Sequence, residues 1–141
     1  MWGSKSGGAM LEQIPVKTSG RTQFVDISGE ISGIVRKSGV KSGVCYVYVP
    51  HTTAAVTINE NADPSVPSDI LMEFNKRIPF EDGYTHMEGN SAAHIKSSII
   101  GCSETVLIEG GSLVLGTWQG IFFCEFDGPR SRKVFCKVVE G

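Results

Sequence analysis

Residues 105–139 read TVLIEGGSLVLGTWQGIFFCEFDGPRSRKVFCKVV, and this stretch decides the fold. It predicts four strand segments in succession with no helix between them: Thr105–Glu109, Ser112–Leu115, Gln119–Phe126 and Lys133–Val139. Two groups of turn residues separate them, Gly110-Gly111 and Asp127-Gly128-Pro129. Such a run of strands argues against the regular alternation of strand and helix in a doubly wound fold.

The preceding part of the chain predicts four more strands and three helices. The strands are Leu11–Thr18, Arg21–Ile27, Val44–Val49 and Ala54–Ile58. The helices run from Ser28 to about Lys37, from Pro67 to Pro79, and over about 92–100. We therefore predict one α+β domain with a mixed, largely antiparallel β-sheet, sandwich- or barrel-like. In the last helix, Ile95 and Ile99 share an apolar face, and His94, Ser97 and Ser98 share the other.

The amino-acid composition limits the classes of function to expect. The 141 residues, 40% of them hydrophobic and 20% charged, suit one globular domain. A net charge of -2 without a basic stripe gives no reason to expect nucleic acid, and no apolar stretch is long enough for a membrane span. Four cysteines without C-x-x-C spacing, and no visible secretory leader, predict reduced thiols and a cytoplasmic protein. Residues 1–10 are rich in Gly and Ser, and we expect a disordered lead or a remnant of cloning ahead of a domain at 11–141.

The chain has three histidines, His51, His86 and His94, all at predicted element ends or among small polar residues. Neutral imidazole is the commonest protein ligand for zinc-like metals. Three such ligands with one open position form the usual catalytic zinc site. The alternative is that two histidines lie at the surface and one is part of the core. This alternative stays open because spacings of 35 and 8 residues match no standard zinc pattern.

Glu125 interrupts the apolar run of residues 121–126. It either faces solvent from its strand, or it orients a metal-bound histidine or acts as a general base.

Two polar segments have alternative interpretations. Asn59, Asn61 and Asp63 suit turn and helix-cap chemistry, or they contact a ligand. Thr117, Trp118 and Gln119 form either a bulged link between strands or a surface that a ligand approaches closely.

Anion binding is predicted for Ser97, Ser98 and the backbone N–H groups of a helix start near residue 92. Lys96, Arg130 and Arg132 are interpreted as solvated surface charges.

Five ordered motifs resemble one family: residues 51–54 (HTTA), 59–64 (NENADP), 86–91 (HMEGNS), 93–98 (AHIKSS) and 116–121 (GTWQGI). They closely resemble the YjbQ family, also called UPF0047, over roughly Ile14 to Gly141. The resemblance implies a small α+β protein that assembles as a homotrimer, with His51, His86 and His94 around a metal ion and Glu125 facing inward. It also implies the family's label of secondary thiamine-phosphate synthase. The loop between Gly89 and His94 is shorter than in some relatives, so the entrance to the site and the substrate can differ.

These expectations combine into one functional hypothesis. We expect a metal-dependent transferase or hydrolase that acts on a small phosphorylated or anionic metabolite. The metal is expected to be zinc, since three imidazoles suit zinc better than magnesium, although a pyrophosphate leaving group would favour magnesium. Glu125 and Gln119 are the expected catalytic residues. A phosphate- or sulfate-like anion is expected to contact polar residues and one tryptophan: Thr52, Asn59, Asn61, Asp63, Asn90, Ser97, Ser98, Thr117 and Trp118. The alternative is a non-catalytic trimer that binds a metal or an anion.

Overall fold

The structure is a computed structural model that describes residues 11–141 and the backbone of residues 5–6 and 9–10. Residues 1–4 and 7–8 lie outside the described residues, and residues 5–6 and 9–10 belong to strands; the disordered lead expected at residues 1–10 stays a prediction. The strands are β1 (Lys5–Ser6), β2 (Ala9–Lys17), β3 (Gln23–Asp26), β4 (Gly43–Tyr48), β5 (Ala54–Glu60), β6 (Ser103–Glu109), β7 (Ser112–Leu113), β8 (Gln119–Glu125) and β9 (Ser131–Glu140). The helices are α1 (Ser28–Ser38), α2 (Ser65–Arg77) and α3 (Ser91–Ile100).

The strands form two sheets. One has six strands in the order β1-β2-β9-β4-β6-β7, and the other has three in the order β3-β8-β5. Every pairing among the described strands is antiparallel. The α+β prediction is confirmed, and so are the three helices.

The main hydrophobic core lies between the two sheets and α1. It combines side chains from β4 and β9 of the larger sheet, from β5 and β8 of the smaller one, and the Ile31–Val35 stripe of α1. Ile31 and Val35 therefore lie on the face of α1 that packs into this core. Gly39 ends this helix in the left-handed conformation, with φ of 72°, and donates its N–H to the carbonyl of Arg36.

A smaller core covers the other face of the three-stranded sheet. Phe122, Cys124 and Phe126 on and just after β8 pack there with Ala55 of β5 and Ala93 of α3. The layers are therefore the larger sheet with α1, the smaller sheet, and then α2 and α3.

The apolar Ile95 and Ile99 face of α3 is not the face that packs against the sheet. Ile95 and Ile99 are 39% and 60% exposed, whereas Ala92, Ala93, Lys96 and Ser97 are buried. Small side chains let the helix approach β5 closely, and this contact decides the orientation over the more hydrophobic isoleucine stripe. None of the described helices is long and apolar enough to cross a membrane.

Candidate functional site

His86 and His94 meet at one side of α3. Their ring centres are 5.4 Å apart and the rings are nearly perpendicular, at 89°. His94 projects from the first half of α3, and His86 lies in the preceding loop. A cavity of about 520 Å³ contains both, and its other lining residues are Gly83, Tyr84, Thr85, Ser91 and Ile95. This volume is in the range of small-molecule sites.

Glu88 adds a carboxylate to this pair. Its Oε1 lies 3.5 Å from Nε2 of His86, and the carboxylate is largely exposed. A carboxylate beside one ring nitrogen orients the ring and leaves the other nitrogen free to bind a metal. Sequence reasoning missed this residue, although an acidic residue two positions after a histidine was the available signal.

His51 lies beside a second cavity. This cavity has a volume of about 470 Å³ and is lined by His51, Thr52, Ala54, His94, Ser97, Ser98, Gly101 and Cys102. His94 therefore lines both cavities, while His51 and His86 line different ones. Nε2 of His51 accepts a hydrogen bond of 3.1 Å from the backbone N–H of Lys133. Burial and then the charge of Arg132 lower the pKa of His51, so the neutral ring is favoured.

The three histidines fit a metal ion only in part. Two imidazoles bound to one tetrahedral zinc at about 2.0–2.1 Å place their ring centres roughly 5 Å apart, which His86 and His94 satisfy. His51 does not fit, because its Nε2 lone pair accepts the Lys133 N–H. Across residues 11–141, no group of three or more His, Cys, Asp or Glu side chains is arranged to hold a metal ion. Among the described residues, only the ring-centre distance of His86 and His94 is compatible with a shared metal ion.

Glu125 is fully buried and faces inward, so it is not a solvent-facing strand residue. Its partners, however, include no histidine. The guanidinium of Arg132 binds both carboxylate oxygens, the Thr18 hydroxyl donates to Oε1 at 2.8 Å, and the backbone N–H of Asp127 donates to Oε2 at 3.0 Å. Burial alone would raise the pKa of Glu125, but these hydrogen bonds and the charge of Arg132 outweigh it and lower the pKa.

Arg132 was predicted to be a surface charge, and that prediction is wrong. Its side chain is almost fully buried, and Nη2 also donates to the carbonyl oxygen and the hydroxyl of Thr53, at 3.2 and 2.8 Å. A buried guanidinium requires such a set of acceptors, and only the folded chain assembles them. Arg130 is half-exposed, as predicted, and pairs with Asp127 at 2.9 Å.

Lys96 is also buried, contrary to the prediction. Nζ donates to Oδ1 of Asn75 at 2.6 Å and lies 4.2 Å from the ring centre of Phe80. The guanidinium of Arg21 lies 3.5 Å from the same ring centre. Burial and the nearby charge of Arg21 lower the pKa of Lys96 to about 8. Phe80 lies at the start of the loop that carries His86, so these two cation–π contacts attach that loop to the rest of the domain.

The predicted anion-binding groups lie at different ends of α3. Ser97 and Ser98 belong to its last turn, beside the second cavity, whereas the N–H groups near residue 92 lie beside the first cavity. The hydroxyl of Ser98 donates to the carbonyl of His94 at 2.9 Å. The hydroxyl of Ser97 is buried and has no hydrogen-bond partner within residues 11–141. At the start of the helix, Asn90 donates from Nδ2 to Asp127 at 3.0 Å, while its Oδ1 is buried and has no partner in the part of the chain that the structure describes.

Of the remaining predicted ligand contacts, Thr52 lines the second cavity, whereas Asn59, Asn61, Asp63, Thr117 and Trp118 line neither cavity. Asn59 accepts the backbone N–H of Glu60, and Asp63 accepts that of Ser65. The side-chain amide of Asn61 donates to Asp26. Gln119 accepts the N–H of Gly116 at 2.8 Å, which closes the turn containing Thr117 and Trp118; Trp118 is 62% exposed. A Cβ on Gly120 would collide with the side chain of Asn61. The hydrogen bonds of these residues are those of turns and close backbone packing.

Comparison with known proteins gives consistent matches over nearly the whole domain. The profile of the family described as UPF0047 protein YjbQ-like matches residues 12–141. The UPF0047 protein MJ1081 of Methanocaldococcus jannaschii is 53% identical, covering 92% of this chain and 94% of its own. The UPF0047 protein YugU of Bacillus subtilis is 50% identical, covering 92% and 99%.

Solved structures share the fold. The crystal structure of an uncharacterized conserved protein of the YjbQ/UPF0047 family from Clostridium acetobutylicum is 54% identical, with a TM-score of 0.89, covering 90% of this chain and 98% of that one. A YbjQ-like protein of unknown function from Sulfolobus solfataricus is 32% identical, with a TM-score of 0.91, covering 94% and 98%.

Proposed function

This chain belongs to the UPF0047 protein YjbQ-like family, and from its geometry we propose a divalent-metal-dependent enzyme that acts on a small phosphorylated metabolite. The observation that carries the proposal is the pair His86 and His94, with ring centres 5.4 Å apart in a cavity of ligand size. Imidazole ligands favour zinc over magnesium. When bound there, the metal would act as a Lewis acid towards a phosphoryl oxygen or lower the pKa of a bound water.

The protein groups around this pair supply binding and orientation. Glu88 would hold the proton of one His86 nitrogen and keep the other nitrogen available. The first turn of α3 borders the same cavity through Ser91, and the side chain of the N-cap residue Asn90 makes no capping hydrogen bond to its backbone N–H groups among the described residues. Such N–H groups, with the positive end of the helix dipole, favour a phosphate group.

Metal binding by the full chain tests the metal site proposed at His86 and His94. We expect protein purified without added metal to take up one Zn²⁺ per chain in calorimetry. His86→Ala and His94→Ala should each lose that binding, and His51→Gln should keep it as the matched control. The proposal is wrong if the unaltered chain binds no zinc, or if all three variants bind it equally well.

Turnover separates enzyme from binding protein. Phosphate release from a panel of phosphorylated metabolites, together with thiamine-phosphate synthesis, should include a reaction that a chelator abolishes and Zn²⁺ restores. If phosphate and zinc both bind but no member of the panel reacts, the non-catalytic metal- and anion-binding protein is the better description.

We also propose that the chain forms a homotrimer through the outer face of the larger sheet. Leu11, Tyr46, Tyr48 and Phe135 line an apolar groove of about 360 Å³ on this face, with Lys137 at its side. Tyr46 and Tyr48 are half-exposed on β4, and the neighbouring β6 exposes Leu107. A contiguous apolar surface of this kind is typical of an interface between subunits.

A further inference from the structure

His51 has one ring nitrogen that is already engaged. A backbone N–H can only donate, so the Lys133 N–H, 3.1 Å away, requires a lone pair on Nε2. A neutral ring that accepts at Nε2 carries its proton on Nδ1. In this form neither nitrogen has a lone pair to spare for a metal.

Buried polar groups hold both partners of this hydrogen bond. Arg132 directly precedes Lys133, and its Nη2 donates to the carbonyl and the hydroxyl of Thr53, two residues after His51. The same guanidinium binds the buried carboxylate of Glu125. It therefore ties the strand that donates the N–H to the segment that carries the imidazole.

Ser97 also lines the cavity beside His51, and it carries a buried hydroxyl. This hydroxyl has no hydrogen-bond partner among the described residues, and Ser97 is only 8% exposed. In residues 11–141, His51 has no side-chain hydrogen bond besides the one from Lys133, which leaves Nδ1–H free as well. Buried hydroxyl groups in folded proteins normally have a hydrogen-bond partner, so that of Ser97 is available to a ligand group that reaches it.

The helix dipole disfavours an anion at the end of this cavity nearest α3. Ser97, Gly101 and Cys102 mark the C-terminal end of α3, where the carbonyl groups disfavour negative charge. Two neutral donors at such a place suit an uncharged acceptor, whereas the phosphate belongs at the opposite end of the helix, beside His86.

We propose that His51 is not a metal ligand but the Nδ1–H donor of a subsite that it forms with the Ser97 hydroxyl for a neutral carbonyl oxygen of the substrate. Arg132 and Glu125 are its positioning residues. Given the proposed function, on which this part rests, the substrate class is a small phosphorylated metabolite that also carries an amide, ester or ketone group. The protonation of His51 does not depend on the metal.

The first experiment observes the imidazoles directly. The full chain labelled with ¹⁵N-histidine contains three rings, which variants assign, and long-range ¹H–¹⁵N correlation separates protonated from unprotonated nitrogens. We expect His51 to have its proton on Nδ1 with and without Zn²⁺, while the nitrogens of His86 and His94 shift. A proton on Nε2 of His51, or a zinc-dependent shift of its nitrogens, overturns the inference. If His86 and His94 ignore zinc while His51 behaves as expected, only the proposed metal anchor fails.

A second experiment tests the positioning role. Thr53→Val keeps the shape of the side chain and removes one acceptor of Arg132, and Thr57→Val on β5 is the matched control. We expect the Nδ1–H signal of His51 to weaken or broaden in Thr53→Val only. Identical His51 spectra in both variants would show that this network does not position the ring.

The third experiment tests the ligand class with acetamide and inorganic phosphate as probes. Acetamide should shift the backbone amides of Ser97 and Cys102, and phosphate should shift those of Ser91 and Ala92. His51→Asn keeps a donor near the Nδ1 position and should still bind acetamide. Ser97→Ala and His51→Gln each remove one donor and should bind acetamide roughly tenfold more weakly. Equal acetamide affinity in His51→Gln and the unaltered chain, or stronger shifts of Ser97 by phosphate than by acetamide, would overturn the subsite.

Discussion

Arg132→Met should be among the most damaging single substitutions in the domain. The side chain is 7% exposed, and its removal leaves the carboxylate of Glu125 fully buried with only the Thr18 hydroxyl and the Asp127 N–H as donors. Breaking a buried ion pair by removing one partner costs about 3–5 kcal/mol of unfolding free energy. The Thr53 hydroxyl also loses its donor, which adds a contribution of about 1 kcal/mol.

A double-variant cycle isolates this interaction. Glu125→Leu combined with Arg132→Met removes both charges and should recover most of the loss, leaving about 1–3 kcal/mol for the donors that have lost the carboxylate. The assay is urea unfolding followed by circular dichroism, with Met72→Ala as an exposed control. The reasoning is refuted if Arg132→Met costs less than about 1 kcal/mol, or if the double variant costs the sum of the two single variants.

Three further predictions follow from buried charges and the exposed sheet face. Folding lowers the pKa of Glu125, so the stabilising contribution of its carboxylate is complete above the pKa in the unfolded chain, about 4.3, and is lost as the pH falls through the pKa in the folded chain. Glu125→Gln should therefore flatten the fall of the unfolding free energy at acid pH. An unchanged dependence of the unfolding free energy on pH would contradict this. Lys96→Met should raise the unfolding free energy at pH 7 by about 1 kcal/mol, because Lys96 is buried with a neutral acceptor and no carboxylate partner among the described residues. A lower unfolding free energy of this variant in urea titration would show that the hydrogen bond to Asn75 outweighs the cost of desolvating the ammonium group. Tyr48→Glu should reduce the mass in light scattering from trimer to monomer while Met72→Glu does not, and a monomeric unaltered chain would refute the trimer.

The order of elements was predictable because local patterns encode it. Apolar runs bounded by glycine and proline turns located the strands from β2 onward, and their bounds differ from the structure by a few residues. The position of α3 was also predicted, but its buried face was not. Ala92 and Ala93 carry little hydrophobic signal, although their small size is what permits close packing against β5.

The candidate site was predictable only in its residue types. Histidine is uncommon in this chain, so His51, His86 and His94 stood out in the sequence. Their sequence spacing could not show that α3 divides the surroundings into two cavities, with His94 bordering both. Nor could it show that the N–H of Lys133 engages His51, because that contact joins residues 82 positions apart.

The partner of Glu125 shows the same limit. A carboxylate inside an apolar run predicted a special role, but sequence alone offered a histidine partner and a solvent-facing position as equal alternatives. Arg132 lies seven residues further on, across the turn that leads from one sheet to the other. Burial of both residues at that crossing is a property of the packed sheets.

By itself the sequence determined the strand order along the chain, the α+β class and the family, since each depends on short ordered motifs. Tertiary structure decided which charges are buried, which face of α3 packs, and which histidines share a cavity. The physical reason is distance: hydrogen bonds and desolvation act over a few ångströms, and the chain brings Glu125, Arg132 and Thr53 that close only when the two sheets pack together.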